Sequence, residues 1–376
     1  MRHVVPEGLL NNVRIFGMQD IRAFSGIPSD AFKKDFIKLL EQEEIESSSA
    51  DLKNIRIYSV LAISGGASNG AYGAGLLSGW SQSGTRPVFK VVTGISTGAI
   101  IAPFAFLGSK YDDKLKETYT KHSTKDVLRI RIPFINSLTS TRPLEHLIEQ
   151  YFDAELLKEI AGEYNKGRRL YVGTTNLDAQ RLVIWDMGKI ASVGDEKALK
   201  LFRKVILASA SLPIVSPPVY LYGEINDQEY DEMHVDGGIS KQVFFIYDVL
   251  RGFEKALQEK NFDVSRNMYA IYVIRNGYVD PIYRAVPDKL TAIALRTVDT
   301  LINAQSVGDL YQLYIFSKYA KGDFNLAYIP ATYVSKAREP FDPVEMRELF
   351  DLGFKEAVQG YPWKKSLPGL GEAEKE

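Results

Sequence analysis

The chain has 376 residues, enough for one large or two ordinary domains with a substantial core. Hydrophobic residues make up 45%, charged residues 25%, and the formal net charge is −1, which argues against nucleic acid or any strongly charged partner. There is no cysteine, so disulfides, thiolate catalysis and cysteine-ligated metal are excluded, and no apolar run approaches the ~20 residues of a membrane span.

In chain order, Met1 to Pro6 lacks the apolar core of a signal peptide, and residues 1–50 read as an N-terminal extension with one amphipathic helix. That helix, Ser29 to Glu44, carries Phe32, Phe36, Leu39 and Leu40 on one side, and the polar run Glu46 to Asp51 follows it as a linker. Ile55 to Ile63 is β-branched and aromatic enough to be a buried strand. It leads into the small-residue stretch Ser64 to Gly75, whose end opens a helix through Leu76, Leu77 and Trp80. A second strand, Val88 to Thr93, runs into Gly94-Ile95-Ser96-Thr97-Gly98 and a second apolar helix, which Pro103 should kink or end. Strand, loop, helix, strand, turn, helix is a β-α-β-α series and predicts α/β architecture, with a mostly parallel central sheet covered by helices on both faces.

Further strands are predicted at Leu170 to Thr175, Leu182 to Trp185, Val219 to Leu221 and Met268 to Arg275. Helices are predicted at Tyr111 to His122, Leu144 to Tyr151, Ala198 to Ala208, Gln242 to Glu259, Lys289 to Tyr319 and Phe341 to Trp363. Tyr311, Tyr314, Phe316 and Tyr319 recur at helical spacing and read as a packed face. Residues 51–335 read as the main domain and 336–376 as a C-terminal extension packing on it. Its polar tail, Pro368 to Glu376, is expected to be disordered.

The stretch from Gly94 to Gly98 has the layout of a nucleophile elbow: a serine on a sharp turn between strand and helix, with glycines two residues before and after. A Cβ at either glycine would collide with the neighbouring backbone. The helix that follows points free N–H groups and its positive dipole end at the place where an anion would form. A serine hydroxyl needs a base to take its proton. Of four histidines, His3 lies at the chain start, and His122 and His146 lie in charged helical stretches that read as solvated. His234 stands in Met233-His234-Val235-Asp236-Gly237-Gly238, where a carboxylate ends a strand and two glycines turn the chain away. The plainer reading of Asp236 is an Asx-turn.

Three blocks in this order, Gly65-Gly66-Ala67-Ser68-Asn69-Gly70, Gly94-Ile95-Ser96-Thr97-Gly98 and Asp236-Gly237-Gly238, resemble the patatin-like phospholipase family. The likeness covers roughly residues 55–245 and includes Gly173 to Asp178 and Ala208 to Pro213. It implies a three-layer α/β fold and a Ser-Asp dyad acting on lipid acyl esters, with Ser96 as nucleophile and Asp236 as base. It also implies an oxyanion hole from backbone N–H groups of Gly65, Gly66 and Ala67. Gly70, Gly94, Thr97, Gly98, Gly237 and Gly238 are the residues that support these motifs. The sequence departs from the family where Ala67 replaces a third glycine, Asn69 a basic residue, and Ile214 and Ser216 the usual glycine and phenylalanine. Alanine resists positive φ, so Ala67 is expected to reshape the loop and weaken the hole.

The chemistry so implied is hydrolysis of a phospholipid or other acyl ester through an acyl-enzyme, of phospholipase A or lysophospholipase type, with transient contact to a membrane surface and no cofactor. An acyltransferase or thioesterase on the same scaffold, a Ser-His-Asp triad using His234, and a catalytically silent lipid- or partner-binding relative are the alternatives. Acidic residues do not group at metal spacing, which predicts no metal and no calcium requirement. The resemblance is to proteins of bacterial type, so an envelope or exported location, with the leader missing from this chain, is the expectation.

Overall fold

Continuous apolar runs such as Val60 to Ile63 and Val91 to Ile95 require burial on both sides of a sheet, and the computed structural model provides it. The structure describes residues 2–46, 56–130, 137, 139–250 and 267–368. The N-terminal part holds β1 (Arg14–Ile15), β2 (Arg22–Phe24), α1 (Asp30–Glu46), β3 (Arg56–Ile63), α2 (Gly70–Gln82), β4 (Val91–Ile95) and α3 (Thr97–Leu107). Next come α4 (Asp112–Thr120), α5 (Thr124–Val127), the ribbon β5 (Arg129–Ile130) and β6 (Thr139–Ser140), α6 (Arg142–Tyr151) and α7 (Ala154–Asn165). The chain continues with β7 (Arg169–Asn176), β8 (Arg181–Asp186), α8 (Met187–Val193), α9 (Glu196–Ser209), β9 (Val219–Ile225) and β10 (Gln228–Asp236). It closes with β11 (Asn267–Arg275), α10 (Leu290–Tyr319), β12 (Asp323–Tyr328) and α11 (Pro343–Val358).

All strands but β5 and β6 form one sheet, whose centre, in the order β12, β11, β3, β4 and β7, is parallel throughout. β7 then pairs with three strands. β4 lies along Arg169 to Gly173 and β8 along Tyr171 to Asn176, so the two hold opposite edges; β10 lies along Thr174 to Asn176, where only the β4 edge is left. β4 and β10 therefore run toward each other on one edge of β7. They stop at neighbouring positions, Ile95 opposite Gly173 and Asp236 opposite Thr174.

Side chains alternate between two cores. Leu61, Ile63, Val92 and Val172 face one, filled by α2, α3, α6, α7, α9 and α11; Val60, Ala62, Val91 and Tyr171 face the other, filled by α1, residues 243–250 and the second half of α10. α11 crosses α2 at backbone contact. A Cβ on Gly75 would lie 1.9 Å from the Phe350 carbonyl oxygen, and one on Gly353 2.4 Å from that of Tyr72.

Several expectations need revision. The residues before α1 also supply β1, which pairs with β9, and β2, which pairs with β8; two- and three-residue strands are too short to show alternation. Pro103 does not end α3, which runs on to Leu107 and stops at Gly108, φ 93°. The predicted helix from Gln242 is not one over its described part: 242–250 holds a short 3₁₀ turn, Ile246–Asp248, because Val243, Phe244 and Phe245 are drawn into the second core. Its remainder, the linker from Ser47 onward and the tail beyond Pro368 lie outside the described residues.

Ile214, in the turn between α9 and β9, has φ 73°, a conformation that a β-branched side chain opposes. Ile214→Gly should therefore raise stability by about 1 kcal/mol in chemical denaturation. Gly75→Val and Gly353→Val should each lower it by about 2 kcal/mol or more, because the helices must separate to admit the side chain. Equal stability of the glycine variants and the parent protein would contradict the packing described.

Candidate active site

Ser96 begins α3 in the conformation φ 55°, ψ −122°, a strained geometry worth roughly 1–3 kcal/mol that aims the side chain off the end of β4. The flanking glycines permit the turn. A Cβ on Gly94 would meet the Gly98 carbonyl oxygen at 2.3 Å, and one on Gly98 would meet that of Ile63 at 2.3 Å. Thr97 turns away to Tyr119, whose hydroxyl bonds both its side chain and its carbonyl (3.0 Å); Gly70 leaves room for this pair, its Cβ position being 2.2 Å from Thr97 Oγ1.

The head-to-head arrangement on β7 brings Asp236 to Ser96. The Asp236 carboxylate accepts the Gly238 N–H at 2.7 Å and stands near enough to the Ser96 side chain for the hydroxyl to favour its charged form. Asp236 is buried at 4% exposure, and that burial raises its pKa to about 7 against the lowering effect of Ser96 and the Gly238 N–H. The Asx-turn and the base are thus compatible roles of one carboxylate. Gly237 is tight against β7, its Cβ position 2.4 Å from the Gly173 carbonyl oxygen.

The glycine-rich loop closes over the same spot. A Cβ on Gly65 would lie 3.2 Å from Ser96 Cβ, and Gly66, φ 157°, backs onto Asn276 with no space for any side chain. Ala67 does take a left-handed conformation, φ 49°, at a cost of about 1–2 kcal/mol. Gly65, Gly66 and Ala67 line one cavity with Ser96 and Asp236. Among the described hydrogen bonds the amides of Gly66 and Ala67 donate to no other group.

Three supporting residues carried no signal of their own in the sequence. Ser209 Oγ accepts the Ser96 N–H (2.9 Å) and donates to the Gly173 carbonyl (2.7 Å), and the Ser211 carbonyl accepts the Asp236 N–H (2.9 Å). The end of α9 thereby holds nucleophile and carboxylate in one frame. Gln242 Nε2 donates to the Gly238 carbonyl at 3.1 Å, and its side chain fills the space beside Gly65. Ser209 and Ser211 lie in a block that matched the family pattern, but only the fold gives them these partners.

His234 is fully buried on the far side of Thr174. Its ring nitrogens are engaged by Thr174 Oγ1 (2.9 Å) and by Glu232 (3.1 Å), which also forms a bidentate pair with Arg22, so the ring is not turned to Ser96. His122, expected to be solvated, instead stands in the cavity wall and bonds the Tyr151 hydroxyl at 2.8 Å.

The cavity measures about 950 Å³. Its lining is mostly apolar, with Ile100, Leu144, Ile148, Phe152 and Val215 among the lining residues, and includes the polar Arg275, Asn276, Asp280, Arg296 and Asn303. Ser96 and the glycine-rich loop line the same cavity, which suits a molecule that is part hydrocarbon and part polar.

No curated protein matches the chain. Among solved structures, VipD from Legionella pneumophila is similar at 13% identity and a TM-score of 0.33, covering 81% of this chain and 67% of that one. The ExoU–SpcU complex from the type III secretion system of Pseudomonas aeruginosa follows at 15% identity and 0.30, with 81% of this chain and 52% of that chain covered. The chain thus spans about half the length of that second relative, and overlaps this loose carry no argument about the site. The family model for patatin-like phospholipase matches residues 61–247, which contain all three motif blocks. Through this region the chain belongs to the patatin-like phospholipase family, whose members are lipid acyl hydrolases.

Proposed function

We propose that residues 51–335 form a catalytic unit that hydrolyses a carboxylic ester of a lipid, of phospholipase A or lysophospholipase type, through Ser96 and Asp236. The observation that carries this reading is that the elbow residue Ser96, the buried Asp236 carboxylate and the glycine-rich loop line one cavity, and burial raises Asp236 to about 7. An aspartate near its ordinary value of ~3.9 would be a poor base for an alcohol; one near 7 is suited to neutral pH.

In the cycle, Asp236 takes the Ser96 hydroxyl proton as Oγ bonds to the acyl carbonyl carbon. The carbonyl oxygen becomes an oxyanion facing the Gly66 and Ala67 amides. On collapse the alcohol leaves with the proton from Asp236, and the acyl group stays on Ser96. Water then attacks the acyl-enzyme while Asp236 accepts its proton; as the bond between the acyl carbon and Ser96 Oγ breaks, Asp236 returns that proton to Oγ, and loss of the fatty acid restores the starting state. The apolar lining of the cavity suits the acyl chain, and its polar residues suit the glycerol and headgroup side.

The substrate side of this reading extends to a lipid bilayer. No helix among the described residues is long and apolar enough to cross a membrane. Yet the first half of α10 and the loop before it expose Tyr283 (95%), Leu290 (83%) and Leu301 (65%), and the same stretch lines the cavity through Ile282, Thr300 and Ile302. The two charges within that half-helix are neutralised on the spot, Arg296 bonding Asp299 at 2.8 Å and the Ile282 carbonyl at 2.6 Å. An apolar rim continuous with an acyl-binding cavity fits a bilayer that delivers its lipid directly.

Ser96→Ala and Asp236→Asn should each reduce hydrolysis of p-nitrophenyl butyrate and of phospholipid vesicles by about 10³-fold or more. Full activity in either variant would remove the dyad. The rate of the parent protein should rise as pH passes through about 7, where Asp236 becomes the free base. Because burial raises the folded-state pKa, the stabilisation linked to protonated Asp236 is present at low pH and lost as pH rises through about 7. Asp236→Asn should accordingly melt above the parent protein at pH 8, with the gap closing toward pH 4. Leu290→Asp with Leu301→Asp should abolish vesicle co-sedimentation and vesicle hydrolysis while the soluble ester is turned over as before. Retained vesicle binding would displace the bilayer from this face, and conversion of a dimeric parent into a monomer would assign the face to a second copy of the chain.

A further inference from the structure

Arg275 ends β11 in the wall of the cavity, at 6% exposure. Parallel pairing with β3 sets Ile274 beside Ile63, and the Ser64 N–H bonds the Ile274 carbonyl at 2.9 Å, so Arg275 falls beside the start of the glycine-rich loop. Its Nη1 donates to the Gly65 carbonyl at 3.1 Å and to Ser64 Oγ at 3.3 Å. The Ser64 hydroxyl itself donates to the same Gly65 carbonyl at 2.6 Å and accepts the Asn276 N–H at 2.8 Å.

The other deeply seated arginines each hold a carboxylate: Arg22 with Glu232, Arg86 with Asp112, Arg168 with Glu163 and Arg169 with Asp35. Among the described residues Arg275 has no such partner, and its Nε is buried without any hydrogen bond. Asp299 and Asp309 act on it only through longer-range attraction. Burial depresses its pKa to about 10, which leaves the guanidinium charged at neutral pH. A buried cation without a counter-ion is costly, and here backbone and hydroxyl oxygens stand in for one.

The Gly65 carbonyl and the Gly66 N–H belong to one peptide unit. Two donors on the oxygen polarise that unit and make the N–H a stronger donor, and the effect is larger in a dry site than in water. Resting on the dyad reading above, we propose that Arg275 is a positioning residue of the oxyanion hole, holding and polarising the Gly65–Gly66 peptide so that the Gly66 N–H stabilises the oxyanion formed at Ser96.

The test uses the full chain with Arg275→Gln, Arg275→Lys and Ser64→Ala, on p-nitrophenyl butyrate and on phospholipid vesicles. Arg275→Gln should lower kcat about 10- to 100-fold on both substrates with KM within about twofold, since weakening one oxyanion donor acts only in the transition state. Arg275→Lys should recover most of that loss, Ser64→Ala should show a smaller loss, and inactivation by an alkyl fluorophosphonate should slow in parallel with kcat. Unchanged kcat in an active background would overturn the inference and leave the hydrolase reading standing. A rise in KM confined to the phospholipid would overturn it by making Arg275 a headgroup ligand. Equal loss in Gln and Lys variants, with a lowered melting temperature in both, would overturn it by making Arg275 a packing residue. A parent protein inactive on both esters would instead refute the hydrolase reading on which the inference rests.

Discussion

The arrangement depends on one strand with two partners on one edge. β7 accepts parallel β4 along its first half and antiparallel β10 along its second, and the two incoming strands must stop where they meet. A strand end is where backbone groups lose their ladder partners and a side chain can turn out of the sheet. Here two such ends adjoin, one carrying a hydroxyl and the other a carboxylate. Ser209, bonding both the Gly173 carbonyl and the Ser96 N–H, and the Ser211 carbonyl, bonding the Asp236 N–H, satisfy the groups this junction would otherwise orphan. The same bonds fix the geometry of the pair.

Burial then gives the junction its electrostatic character. The Asp236 carboxylate is almost fully buried and accepts only a small number of donors, so its proton affinity rises toward neutrality. Glu232, two residues earlier on the same strand, is also buried but is locked by Arg22, which holds its pKa far below the usual carboxylate range. Two carboxylates on one strand thus differ because one has a cation and the other has none. Arg275, in the wall of the same cavity, is bound to backbone oxygen, and among the described residues no cation acts on Asp236 to cancel its basicity.

Strain is distributed unevenly along the site. Ser96, Ala67 and Ile214 all hold positive φ, and none is glycine. The elbow serine needs that geometry to present its hydroxyl, whereas Ala67 and Ile214 hold a conformation that glycine would adopt at lower cost. Around the glycine-rich loop the space is filled, with Asn276 behind Gly66 and Gln242 beside Gly65.

The sequence by itself determined the local pieces: the apolar runs that became β3, β4, β7 and β11, the small-residue loop, the elbow, and the Asp-Gly-Gly turn. These are legible because period, glycine spacing and strand-end carboxylates are short-range features. It did not show β1 and β2, which are too short to have a pattern, nor that Gln242 to Leu250 would be drawn into the second core as a short 3₁₀ turn, nor that His122 would face the cavity. Only the tertiary structure decided the pairing of β4 and β10 on one edge of β7, the roles of Ser209, Ser211 and Gln242, and the placement of Arg275 behind Gly65. Each of these joins residues that are far apart in the chain, and a serine, glutamine or arginine has no meaning for a site until the fold has chosen its neighbours.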